Sequence, residues 1–196
     1  MLTDVQIINL GLSKIASSRV ARIDPASTPL EKYMAVNYPQ WKRAELAKRR
    51  WVFAKVEEYT LTLNEILTDT AKPYKYLLPI DCLRPIRNKT TEWVQRGRYV
   101  YSYQDTLKID YIRNAPEGEF DPLFNEVLAC KIAYESCEYV TQSTSKKVSA
   151  KEDYEDAVKL AGAANAFTIG PEDIGSDDSD FTWIQGRQGV VPDSWG

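Results

Sequence analysis

The hydrophobic period of this chain changes twice, and that limits what it can fold into more than any other feature. Through residues 1–50 the apolar positions recur at steps of three and four, the spacing of a helix face. From Trp51 to about residue 114 the chain alternates and is rich in β-branched and aromatic residues, the mark of strands. From Phe120 the helical step returns. Helices that open and close a chain around a β-rich middle point to the α+β class.

Thr3 is placed to cap a first helix with the stripe Val5, Ile8, Leu12 and Ile15, which Ile7 and Leu10 broaden. Ser27 or Thr28 caps a second, with Pro29 in its first turn and Glu31 close behind. Its stripe runs Leu30, Tyr33, Met34, Tyr38 and Trp41, then turns polar at Glu45 and Lys48. Pro39 lies inside this pattern and predicts a kink or a join between two shorter helices. Asp121 as N-cap and Pro122 at the first position open a third helix, with the broad face Phe124, Val127, Leu128, Ala133, Tyr134 and Cys137. The break "TQSTSKK" follows, and Ser149 with Glu152 predicts a capping box for a fourth helix. So short a break predicts an antiparallel helical hairpin. No single pair of these helices has enough apolar area to stand alone. The expected architecture is therefore an antiparallel four-helix bundle from residues 1–50 and 118–169, with a β domain inserted at 51–117. An extended C-terminal arm, 170–196, completes the layout.

Within the β segment, "WVFAKVEEYTLTL" reads as one strand and "PYKYLLPID" as a second. "EWVQRGRYVYSY" and "TLKIDYIRN" read as a hairpin system with turns at Arg96-Gly97 and Gln104-Asp105. Alternation places Tyr99, Tyr101 and Tyr103 on one face and Val100 and Ser102 on the other.

Composition narrows the function classes. A chain of 196 residues is one ordinary domain, or one with an insertion. No apolar run reaches the roughly 18 residues of a membrane span, and Asp4 stands where a signal peptide would carry basic residues. Lysines and arginines number 25 against 28 acids, a net charge of −3 that argues against coating nucleic acid. There is no histidine, which removes serine and cysteine triads with a histidine base and histidine zinc sites. No metal, cofactor or catalytic residue is expected. The three cysteines, Cys82, Cys130 and Cys137, have no ligand spacing and read as reduced, buried thiols. Paired acids at Glu57-Glu58, Glu117-Glu119 and Glu152-Asp153 offer the chemistry of glycoside hydrolysis, but solvated surface is the plainer reading.

Interaction residues are more visible. Lys42, Arg43, Lys48, Arg49 and Arg50 form the densest basic run, suited to a solvated helix end or to charged contact with a partner. Trp93, Arg96, Arg98, Tyr99 and Tyr101 gather at the "RGR" turn and the tyrosine ladder. The tail divides in two. Glu172, Asp173, Asp177, Asp178 and Asp180 make an acidic stretch of linker character. Phe181, Trp183, Ile184 and Trp195 follow as anchors for docking on a partner or a neighbouring subunit.

The order of these motifs resembles the tail tubular protein A family of short-tailed bacteriophages. "RRWVFAKVEEYTL" after a helix, then "YKYLLPIDCLRPIR", then "WVQRGRYVYS" and two closing helices span nearly the whole chain. The resemblance implies a structural virion protein: a head-to-tail adaptor made in the bacterial cytoplasm and built into the tail below the capsid vertex. It implies a twelve-subunit ring beneath the portal protein that joins it to the tail nozzle protein and surrounds the DNA channel without reading sequence. No catalytic residue carries over. The alternatives are a carboxylate-based glycoside hydrolase acting on host surface polysaccharide and a single-stranded nucleic-acid-binding module.

Overall fold

The computed structural model describes residues 2–68, 70–87 and 92–168. The elements run α1 (Asp4–Lys14), α2 (Pro29–Lys48), β1 (Lys55–Thr60), β2 (Thr62–Ile66), β3 (Tyr74–Leu77), β4 (Cys82–Ile86), β5 (Trp93–Arg96), β6 (Tyr99–Ser102), β7 (Lys108–Arg113), α3 (Pro122–Thr141) and α4 (Thr144–Thr168).

The helix starts follow local chemistry. Thr3 and Gln6 form a reciprocal capping box on α1, and Thr28 and Glu31 form one on α2. Asp121 accepts the Leu123 amide at 2.8 Å to cap α3. Pro39 sits within α2, which continues past it to Lys48. Gln142 adopts a left-handed conformation (φ 51°) and stops α3. The fourth helix begins at Thr144, so Ser149 and Glu152 lie inside it and form no cap. Lys147 pairs with Glu138 near the turn and Tyr154 stacks on Tyr134 farther along, the pattern of an antiparallel hairpin.

The antiparallel four-helix bundle expected from the stripes does not form. Helix packing runs through α3, which takes α4 and α1 as its closest neighbours, while α2 meets α3 over a shorter stretch and also touches β4 and β7. The reason lies in two faces. Ala129, Cys130, Ile132 and Ser136 are buried along with most of the expected stripe, so α3 buries a broader face than a single seam, with Glu138 and Tyr139 left exposed. The stripe of α2 ends in Lys42, Glu45 and Lys48, which close on polar partners instead of an apolar seam. Ile86 of β4 and Ile112 of β7 join the helical core where a fourth helix stripe would lie.

Two antiparallel sheets carry the strands: β1-β7-β4, and β2-β3-β6-β5. The long strand expected from "WVFAKVEEYTLTL" is a 3₁₀ turn at Val52–Ala54 followed by β1 and β2, which serve different sheets. Glu58 (φ 48°) bulges out of β1, and the Asp110 carboxylate accepts its amide at 2.9 Å. The expected pairing of "RYVYSY" with "TLKIDYIRN" is also absent. β6 pairs with β3 and β5, whereas β7 pairs with β1 and β4. The tight turn falls at Gly97-Arg98, one residue later than expected, with Gly97 at φ 62°.

β7 joins the layers by alternation. Ile112 faces the helical core, and Ile109 and Tyr111 face a smaller core with Leu61, Tyr76, Trp93, Val100 and Leu107. The three-stranded sheet is thus a wall shared by helices on one side and the four-stranded sheet on the other. Trp51, Phe53, Phe120 and Phe124 knit the start of the β segment to α3, with ring centroids of 4.9 Å for Trp51–Phe124 and 4.8 Å for Phe120–Phe124.

Candidate functional site

The residues of the basic run separate as α2 turns. Lys42 points inward: its ammonium pairs with Glu117 at 2.9 Å and lies over the Phe120 ring. Tyr38 donates to the same carboxylate at 3.1 Å. Burial works against ionised Glu117, but the bonds from Lys42 and its other donors outweigh it and hold the carboxyl below its usual range. Lys48 donates to Glu45 at 2.8 Å, where Tyr154 donates at the same distance. Glu45 is fully buried, and burial and that carboxylate push the Tyr154 phenol well up. Arg49 packs its guanidinium against Gly162 of α4. Of the run, Arg43 and Lys48 are exposed, and Lys48 is tied to Glu45 as described.

Arg50 belongs elsewhere. With Arg84, Ile86, Arg87, Trp93 and Gln95 it lines a cleft of about 490 Å³. Among the described residues, no carboxylate lines this cleft. Arg87 lies over the Trp93 ring at 5.2 Å from its centroid, and Trp93 is otherwise buried in the smaller core. Trp93 was expected on an outer contact face, and the alternation of β5 turns it inward instead.

The tyrosine ladder does face outward. Tyr99 and Tyr101 are half-buried, Tyr103 is exposed, and Val100 and Ser102 are buried behind them. Lys75 sits over Tyr99 at 4.5 Å, Arg96 over Tyr101 at 5.6 Å and Lys72 over Tyr103 at 4.7 Å. Lys75 also pairs with Glu65 at 2.9 Å, a bond that raises its ammonium pKa. Leu77 and Val94 are exposed on the same face, in register with Tyr99 and Tyr101. Arg98 is engaged internally: it donates to the Leu78 and Pro79 carbonyls, both at 3.1 Å, and ties the β5–β6 turn to the segment after β3.

The paired acids do not assemble into a site. Glu57 pairs with Lys55 and Glu58 with Lys108. Glu117 is held by Lys42, and Glu119 by Arg113. Glu152 and Asp153 are exposed on α4. Among the described residues, no group of three or more possible metal ligands comes together. Cys130 and Cys137 are buried and Cys82 is half-buried. Burial, with Asp81 nearby, pushes the Cys82 thiol up to about 11, which leaves little thiolate at neutral pH. The arm residues Phe181, Trp183, Ile184 and Trp195 lie outside the described residues.

Sequence reasoning missed Arg84, Arg87, Lys72 and Lys75. "CLRPIR" carries the two arginines three apart around a proline, but their meeting with Arg50 depends on packing between distant segments. In comparisons with known proteins, no family model and no curated protein matches this chain.

Proposed function

We propose that the chain is a structural virion protein, a head-to-tail adaptor of the tail tubular protein A kind. Copies close into a dodecameric ring beneath the portal protein, and the tail nozzle protein binds below. The observation that carries this reading is a pair of unlike exposed faces on elements that do not pack on one another. One is apolar: Leu160 and Phe167, 62% and 89% exposed, stand two turns apart on α4. The other is the aromatic and cationic face of the four-stranded sheet. A ring with one kind of neighbour beside it and another below needs separate patches for its lateral and axial contacts. The α4 stripe serves the lateral contact, and the tyrosine face the nozzle side. The motif order from "RRWVFAKVEEYTL" to "WVQRGRYVYS" supports the same reading.

The test is mass. Sedimentation of the 22.4 kDa chain with its cognate portal protein is expected to give a closed oligomer of many copies. A chain that stays monomeric with portal present ends the proposal. The sheet face favours one second reading, binding of single-stranded nucleic acid by stacked bases. Its tyrosine rings already carry cations, which leaves less open π surface for stacking. Tight oligonucleotide binding that falls steeply with salt supports that reading over the adaptor.

A further inference from the structure

The arginine cleft is not explained by a ring. Among the described residues, neither Arg84 nor Arg87 has a carboxylate partner, and the residues that line the cleft include no acid. We propose that its occupant is the acidic stretch Glu172–Asp180 of the same chain, seated on Arg84 and Arg87 beside Trp93.

Three observations converge on this occupant. The stretch carries five carboxylates, at 172, 173, 177, 178 and 180, and residues 169–186 hold no lysine or arginine. The cleft is cationic and open. The chain also leaves α4 from a turn anchored to the backbone of Arg50, although Thr168 itself lines a separate cleft with Trp51, Phe53 and Asp121. Asn165 donates to the Arg50 carbonyl at 2.9 Å and accepts the Val52 amide at 3.0 Å, so the end of α4 is moored to the residue that forms one wall of the cleft. Asp180 lies twelve residues beyond Thr168, and extended chain covers roughly 3.3–3.6 Å per residue, a reach of about 40 Å. Exposed ion pairs are individually weak and screened by salt. The seat is therefore a sum of several pairs that loosens as ionic strength rises. It holds the aromatic half of the arm, from Phe181 onward, close to its own subunit. The inference stands apart from the ring, because it concerns the isolated chain.

The experiment is amide hydrogen exchange on the full-length monomer. At low salt the amides of 171–180 are expected to exchange at least about tenfold more slowly than an unstructured peptide, with the protection lost in about 0.5 M salt. Arg84→Gln with Arg87→Gln removes the protection while the amides of β7 keep theirs. The reversed set, Arg84→Glu and Arg87→Glu with Asp177→Lys, Asp178→Lys and Asp180→Lys, restores it. Unprotected exchange in the wild-type chain overturns the proposal. So does protection that falls on dilution, which places the stretch of another copy in the cleft. If a short DNA duplex binds at low salt, depends on Arg84 and Arg87 and leaves tail exchange unchanged, the cleft is a phosphate seat instead.

Discussion

At the scale of single residues, charge in this chain is used inward more than its sequence suggests. Lys42 belongs to the densest basic run, yet its ammonium holds Glu117 in a half-buried corner with Tyr38. Replacing it as Lys42→Met leaves that carboxylate short of its main donor. After allowance for partial exposure, the expected loss is about 1–3 kcal/mol at pH 7, read from urea unfolding. Glu117 has a lowered pKa in the folded chain. Its contribution is therefore present above the unfolded value near 4.3 and is lost as pH falls through the lower folded value. The gap between wild type and Lys42→Met should close on that acid limb, and a gap that persists there counts against the pairing. Gly11 is a second inward constraint. A Cβ on it would stand 2.7 Å from the Ala129 carbonyl oxygen and from Ile132 Cβ, which fixes how closely α1 approaches α3. Gly11→Ala gains helix propensity but must push the helices apart, so a net loss of about 1–3 kcal/mol is expected in thermal unfolding.

At the scale of elements, what could be read from sequence was what local chemistry decides. Thr28 and Pro29 announce α2, and Asp121 and Pro122 announce α3, because capping and proline act within one turn. Ser149 with Glu152 carries the same signal inside α4, where Gln142 and Ser143 had already made the turn. The split of β6 and β7 into different sheets, and the cleft formed by Arg50, Arg84 and Arg87, depend on pairings between distant segments that no local signal records. The capping box of α2 does more than start a helix. Glu31 accepts the Ser27 hydroxyl at 2.6 Å, the Thr28 amide at 3.0 Å and the Ala21 amide at 3.2 Å, and so ties the preceding loop to the helix. These bonds, the Ser27 hydroxyl foremost, hold its pKa well below the carboxylate range. Glu31→Gln should lower Tm at pH 7 clearly more than Glu152→Gln on the exposed side of α4. Stability from Glu31 is present above the unfolded carboxylate pKa and falls with pH below it, so the two variants should converge in acid. Equal Tm values at pH 7 would show that the loop is held by other contacts.

At the scale of the whole molecule, the shared sheet decides whether the helical and β parts unfold as one. Ile112 is fully buried in the helical core while its neighbour Tyr111 lies in the smaller core. Ile112→Ala is expected to cost about 2–4 kcal/mol and to shift a single transition seen alike by far-UV and tryptophan signals. The four-helix expectation failed for a related reason. Apolar stripes state how much surface needs covering but not what covers it, and here a sheet covers part of what a helix was expected to. The same scale carries the adaptor proposal, because lateral and axial contacts are separable. Leu160→Asp with Phe167→Asp places charge on an exposed apolar stripe of α4. Exposed changes of this kind leave monomer stability within about 0.5 kcal/mol, so the expected result is a folded chain that no longer closes a ring with portal. Tyr101→Ala with Tyr103→Ala alters the sheet face, which α4 does not touch closely. That variant should still form rings and lose the nozzle protein. Under the adaptor proposal, Trp183→Ala is expected to leave the monomer's Tm unchanged and to weaken assembly. If both pairs of substitutions abolish the ring together, or neither changes assembly, the two faces do not have the separate duties proposed for them.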